Sequence, residues 1–170
     1  YEIRPRDWSS DVCSSDLRIM RILLTDDHAL VRRGVANVLS QEIPDLAVTE
    51  AGTAQEALDA IRAAPWDLVI LDVNLPDKNG LEALKDIKRS SPDLPVLILS
   101  LYPGAHYARR ALKAGASGYI TKDTAPEEVA SAVRRILQGG RYVSASLAEQ
   151  LAADLGTPSG EHRELHERLS

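Results

Sequence analysis

Five short, mostly apolar runs, at residues 19–25, 46–50, 68–71, 96–99 and 117–120, recur along the chain with helix-length stretches between them. That alternation constrains the fold more than any other feature. Short apolar runs bounded by polar residues suit buried strands, and the intervening segments carry helical spacing. Residues 29–41 bring Val31, Val35, Val38 and Leu39 towards one face. Thr53 can cap the next helix with Glu56 in the reciprocal position, and Ala57, Leu58 and Ile61 supply its apolar contacts. Residues 79–89 carry Leu81, Leu84 and Ile87; residues 106–114 are alanine-rich and stop at Gly115. Val129, Val133, Ile136 and Leu137 form the last strong stripe, closed by Gly139 and Gly140. Repeated strand–helix units predict an α/β fold: a parallel sheet covered by helices on both faces.

Right-handed crossovers place the carboxyl ends of such strands at one edge, where ligands bind in open α/β folds. The polar residues after the runs therefore share a location. Asp26 and Asp27 follow the first run, Asp72 ends the third, Ser100 ends the fourth and Lys122 follows the fifth. Asp72 can act as a carboxylate nucleophile, forming an acyl phosphate that divides phosphoryl transfer into two steps; capping of the following loop is the lesser alternative from the local run alone. Asp26 and Asp27, with Asp72, offer hard oxygen ligands for Mg2+, and the Asn74 carbonyl could complete the coordination. The ion would offset repulsion between Asp72 and an incoming dianion. Lys122 can bind a phosphoryl oxygen or Asp72 and is expected at the solvent-accessible mouth of the site. Ser100 would present a hydroxyl to another phosphoryl oxygen. Paired acids on a solvated loop, a surface lysine and a strand-ending serine are the bland alternatives for these positions. His28 reads as starting the helix rather than binding metal, and His106 as exposed helix surface. His162 and His166 have helical spacing but lack another convincing ligand. Gly80 fits a close turn after Asp72, and Gly115 and Gly118 a turn before the fifth strand.

In order, the segments ILLTDDHALVRRGV, DLVILDVNLPDKNGLE, VLILS, AGASGYITKD and PEEVASAVRRILQGGRYVS closely resemble the receiver domains of NarL/FixJ-type response regulators in the CheY-like superfamily. The resemblance runs from about Arg21 to Leu151. It implies a CheY-like (flavodoxin-like) five-stranded parallel sheet of order 2-1-3-4-5. It implies Asp72 as phosphoacceptor, Asp26 and Asp27 as metal-site acids, Ser100 and Lys122 as phosphate-responsive residues and Tyr119 as the aromatic switch. Tyr102 could modulate access. The implied donor is a sensor histidine kinase, and homodimerisation on phosphorylation is expected. Such a domain is not a conventional turnover enzyme.

Residues 1–19 lack periodicity and an apolar signal-peptide core, and read as a non-native leader ahead of a natural start at Met20; a native extension is the alternative. Residues 20–140 are read as the receiver. Residues 141–170 are read as a short helix at 144–153, a connector at 156–160 and the threshold of a LuxR-type helix-turn-helix domain. DNA binding would then belong to that missing domain. The formal charge of −5 gives no support to nonspecific nucleic-acid binding by the whole chain. No run of eighteen apolar residues suggests a membrane span, and the single cysteine, Cys13, sits comfortably with a cytoplasmic setting. Two rivals stand: a degenerate receiver that binds proteins without phosphorylation, and a Mg2+-dependent aspartyl phosphoesterase.

Overall fold

The structure is a computed structural model describing residues 18–124 and 126–156. Most of the leader, the connector beyond Gly156 and the helix-turn-helix threshold with His162 and His166 lie outside the described residues. In chain order the elements are β1 (Met20–Thr25), α1 (Ala29–Glu42), β2 (Leu46–Ala51), α2 (Ala54–Ala63), β3 (Leu68–Asp72) and α3 (Gly80–Ser90). They continue as β4 (Val96–Ser100), α4 (Ala105–Lys113), β5 (Gly118–Thr121), α5 (Pro126–Leu137), β6 (Tyr142–Val143) and α6 (Ala145–Gly156).

The expected parallel order is present, with one addition. The sheet has six strands, β2-β1-β3-β4-β5-β6, where five were expected. The extra strand is the dipeptide Tyr142–Val143, which pairs in parallel with Gly118 and Tyr119. Two residues are too few to register as a periodic run, so the sequence gives no warning of it. Gly118 admits this neighbour, since a Cβ there would lie 2.7 Å from the Tyr142 carbonyl oxygen. The final helix also starts one residue later than expected and runs on through Gly156.

All five residues of β3 and all five of β4 are buried, which explains why these strands read as unbroken apolar runs. Their side chains alternate between two cores. On one face Val69, Leu71, Val96, Ile98 and Tyr119 pack with apolar residues of α2, α3 and α4, and with Leu147 of α6. On the other, Leu68, Ile70, Leu97, Leu99 and Ile120 pack against α1 and α5. Hydrogen bonding also carries β3 and β4 one residue past their apolar runs, so Asp72 and Ser100 are the last residues of strands. Their backbones are thus fixed by the ladder.

Candidate active site

At the carboxyl edge of the sheet, carboxylates just after β1 and at the end of β3 converge on an ammonium just after β5. Asp26, Asp72 and Ser100 are fully buried. The Lys122 Nζ lies 2.7 Å from Asp26 Oδ2 and 2.8 Å from Asp72 Oδ2. Its side chain is only 6% exposed, so it does not stand at the solvent-accessible mouth expected from sequence. The reason is electrostatic: two buried carboxylates need a counter-charge, and folding the lysine stem inward provides one. Burial by itself lowers the Lys122 ammonium, but hydrogen bonds to Asp26 and Asp72 and their charges outweigh it and hold it above the ordinary lysine value. Burial raises the Asp72 carboxyl above the usual range, although Lys122 and the Asn74 N–H, which donates to Asp72 Oδ1 at 3.1 Å, pull the other way.

Asp27 is partly exposed, and its Oδ1 lies 2.8 Å from His28 Nδ1. The same ring nitrogen lies 3.1 Å from Asp26 Oδ1, which also accepts the His28 backbone N–H at 2.8 Å. His28 starts α1 as its N-cap residue, as its position suggested, but its ring also sits among the acids. One ligand atom from each of Asp26, Asp27, His28 and Asp72 falls within a group spanning at most 4.8 Å. The three carboxylates suit a hard divalent cation such as Mg2+. For Asn74 the structure gives the N–H contact to Asp72 and a bridge to Asn79.

The loop that follows Asp72 is braced at three points. Asp77 accepts the N–H groups of Ala54 and Gln55 at 2.9 Å each, tying the loop to the start of α2. Asn79 caps α3 by accepting the Leu81 N–H at 2.8 Å. The Gly80 N–H donates to the Val73 carbonyl at 2.7 Å, and a Cβ at Gly80 would fall 2.2 Å from the Asp72 carbonyl oxygen. Only glycine allows α3 to begin this close to the strand end. At the neighbouring α2, Thr53 accepts the Glu56 N–H at 3.1 Å, as the capping box requires. Glu56 reaches past Thr53, however, to the Gly52 N–H at 2.8 Å.

A chain of hydrogen bonds joins the remaining sequence candidates. The Lys122 N–H donates to the Ser100 carbonyl at 2.7 Å, and Ser100 Oγ accepts the Tyr102 N–H at 3.0 Å. The Tyr102 carbonyl in turn accepts the Tyr119 hydroxyl at 2.6 Å. Tyr119 is fully buried, which pushes its phenol up, with Ser100 acting in the opposite sense. Tyr102 is 41% exposed and stacks on Tyr107, with ring centroids 4.8 Å apart. His106 is exposed, as expected.

Sequence reasoning missed Asp77, which offers no local signal because its partners lie on another helix. It also missed Arg32, whose reach to the β1–α1 turn cannot be told from that of its neighbour Arg33 by spacing alone.

A family described as the response regulator receiver domain matches residues 22–134. The chain is 42% identical over 133 residues to the transcriptional activator protein ExaE of Pseudomonas putida, covering 78% of this chain and 62% of that protein. It is 35% identical over 134 residues to the response regulator UvrY of Escherichia coli K12, covering 79% and 62%. The crystal structure of a LuxR-family two-component response regulator from Aurantimonas superposes with a TM-score of 0.78 at 35% identity, over 82% of this chain and all of that one. The chain thus spans 62% of the length of the curated relatives it matches.

Proposed function

The chain belongs to the response regulator receiver domain family, and from that premise we propose that Asp72 accepts a phosphoryl group from the phosphohistidine of a sensor histidine kinase. An Asp72 carboxylate oxygen forms a bond to phosphorus as the bond from phosphorus to the donor nitrogen breaks. The electron pair stays with the leaving imidazole, which is protonated. Asp26, Asp27 and Asp72 would hold Mg2+, which supplies positive charge against the phosphoryl oxygens. Lys122, held between Asp26 and Asp72, is placed to shift its donors to the new phosphoryl group. Ser100 is placed to donate a hydroxyl to the same group.

The observation that carries this reading is the Asp72 carboxylate itself. It sits on a fully buried strand end, bonded to an inward-folded lysine and within ion-sharing distance of two further acids. The parent protein would use this domain to control transcription through a carboxyl-terminal DNA-binding part lying outside the matched residues, with homodimerisation on phosphorylation and a cytoplasmic setting. Among the described residues no helix is long and apolar enough to cross a membrane.

Incubation with a small phosphodonor and Mg2+, read by intact mass, tests the assignment. One added phosphate is expected in the wild type and none in Asp72→Asn. Unchanged labelling of that variant removes Asp72 from the role. No labelling of the wild type favours a phosphorylation-independent binding module instead.

A further inference from the structure

Arg32 contributes no atom to the pocket, yet it grips the backbone on which the acid pair is mounted. It lies one turn into α1, where its own N–H donates to the His28 carbonyl at 3.0 Å. Its Nη1 donates to the Asp26 carbonyl oxygen at 2.5 Å, and its Nε donates to Glu50 Oε1 at 2.9 Å. Glu50 belongs to β2 and stands opposite Leu24 in the β1–β2 register. The Asp26 N–H donates to the Ala51 carbonyl at 3.1 Å. The backbone of Asp26 is therefore held on one side by the end of β2 and on the other by a guanidinium that β2 itself anchors. The carbonyl Arg32 takes belongs to the peptide joining Asp26 to Asp27, so rotation of that peptide would redirect the two carboxylates relative to each other.

We propose that Arg32 is a positioning residue for the divalent cation, fixing the Asp26–Asp27 peptide so that both carboxylates face Asp72 before the ion arrives. This rests on the reading of Asp26, Asp27 and Asp72 as the Mg2+ site. Two effects of removing Arg32 oppose each other, which makes the inference decidable. As a nearby cation, its loss should tighten Mg2+ binding. As an orienting group, its loss should weaken binding, because the free peptide must then be ordered when the ion binds. The second effect should win. The Arg32 charge is largely offset by Glu50 at 2.9 Å and is 20% exposed to screening solvent, whereas the contact to the Asp26 carbonyl has no substitute in the geometry described. Lysine should rescue only in part, since a single ammonium lacks the planar fork that reaches both partners.

The test is a titration of MgCl2 into the 15N-labelled full chain at constant ionic strength, following the amide shifts of Asp26, Asp27 and Asp72. Arg32→Met and Arg32→Lys are compared with the wild type, and thermal melts report folding separately. Arg32→Met should weaken Mg2+ binding by about tenfold or more, with Arg32→Lys in between. Unchanged or tighter binding by a folded Arg32→Met overturns the inference and leaves the metal-site reading intact. A lowered melting temperature with unchanged affinity shows a structural role only and equally overturns it. If Arg32→Met does not fold, Arg32→Lys decides, weaker binding supporting the inference and equal or tighter binding refuting it. Failure of the wild type to bind Mg2+ overturns the metal-site reading and this inference together.

Discussion

Gly80→Ala should be markedly destabilising although it introduces a better helix former at the first position of a helix. A Cβ at this position would lie 2.2 Å from the Asp72 carbonyl oxygen, 2.6 Å from Val73 Cα and 2.9 Å from the Asp72 carbonyl carbon. All three are backbone atoms of a buried strand end, so no side chain can swing away. The start of α3 must retreat, straining the Gly80 N–H bond to the Val73 carbonyl, now 2.7 Å. Overpacking costs about 1–3 kcal/mol, and loss of the hydrogen bond about 1 kcal/mol. Against these stands a gain of about 0.5–1 kcal/mol from replacing glycine in a helix, leaving a net loss of about 1–3.5 kcal/mol. Gly34→Ala is the matched control. Gly34 lies inside α1 and a Cβ there meets nothing within 4 Å, so the same change should stabilise by about 0.5–1 kcal/mol. Urea unfolding of both variants measures the two signs. Equal stability of Gly80→Ala and the wild type would refute the steric reasoning.

Asp72→Asn should be more stable than the wild type at pH 7 in chelator-treated buffer. Burial raises the folded-state pKa of Asp72 above its unfolded value, so ionising it as pH rises through the folded value costs stability. Asparagine removes that loss, and the gap between the two proteins should close below pH about 4; a less stable variant at pH 7 would contradict the argument. Lys122→Met should cost about 3–5 kcal/mol, since it strands two buried carboxylates, and distinctly less in an Asp72→Asn background. A denaturation double-mutant cycle measures the coupling, and strict additivity would show that Lys122 and Asp72 act independently. Tyr119→Phe should lose about 0.5–1.5 kcal/mol by deleting the bond to the Tyr102 carbonyl, and should alter the near-ultraviolet dichroism of the Tyr102–Tyr107 stack; unchanged stability and dichroism would sever Tyr119 from that loop.

The strands that deliver the site were legible because β3 and β4 are buried throughout and so write themselves as apolar runs. Asp72 and Ser100 end the third and fourth strands, as read from sequence, whereas the two-residue β6 left no apolar run to read. The inward fold of Lys122 is invisible locally because its partners lie 50 residues and more away. Glu56 shows the limit of a motif: the spacing foretold a capping box, but the side chain found the Gly52 N–H instead of the one the pattern names. Arg32 and Arg33 illustrate the same limit, since adjacency on a helix does not reveal that one points to the Asp26 carbonyl.

The pocket gathers three carboxylates, and its two buried ones share the Lys122 ammonium. Such a site favours an added cation and resists an incoming dianion, so on the proposed reading positive charge must enter before phosphoryl transfer. Transfer would then turn Asp72 from a carboxylate into a doubly charged acyl phosphate, and Lys122 would have stronger acceptors than Asp26. Its backbone is tied to Ser100, whose hydroxyl anchors the Tyr102 N–H, and the Tyr102 carbonyl receives Tyr119. A move by Lys122 or Ser100 is therefore felt in the segment that leads directly into α4. That helix meets α6 through Leu147 in their shared core and the Arg109–Asp154 ion pair at 2.6 Å. On the proposed reading, charge at Asp72 would reach α4 through the hydrogen bonds that Lys122, Ser100, Tyr102 and Tyr119 make, and α6 through the packing of Leu147 and the Arg109–Asp154 pair.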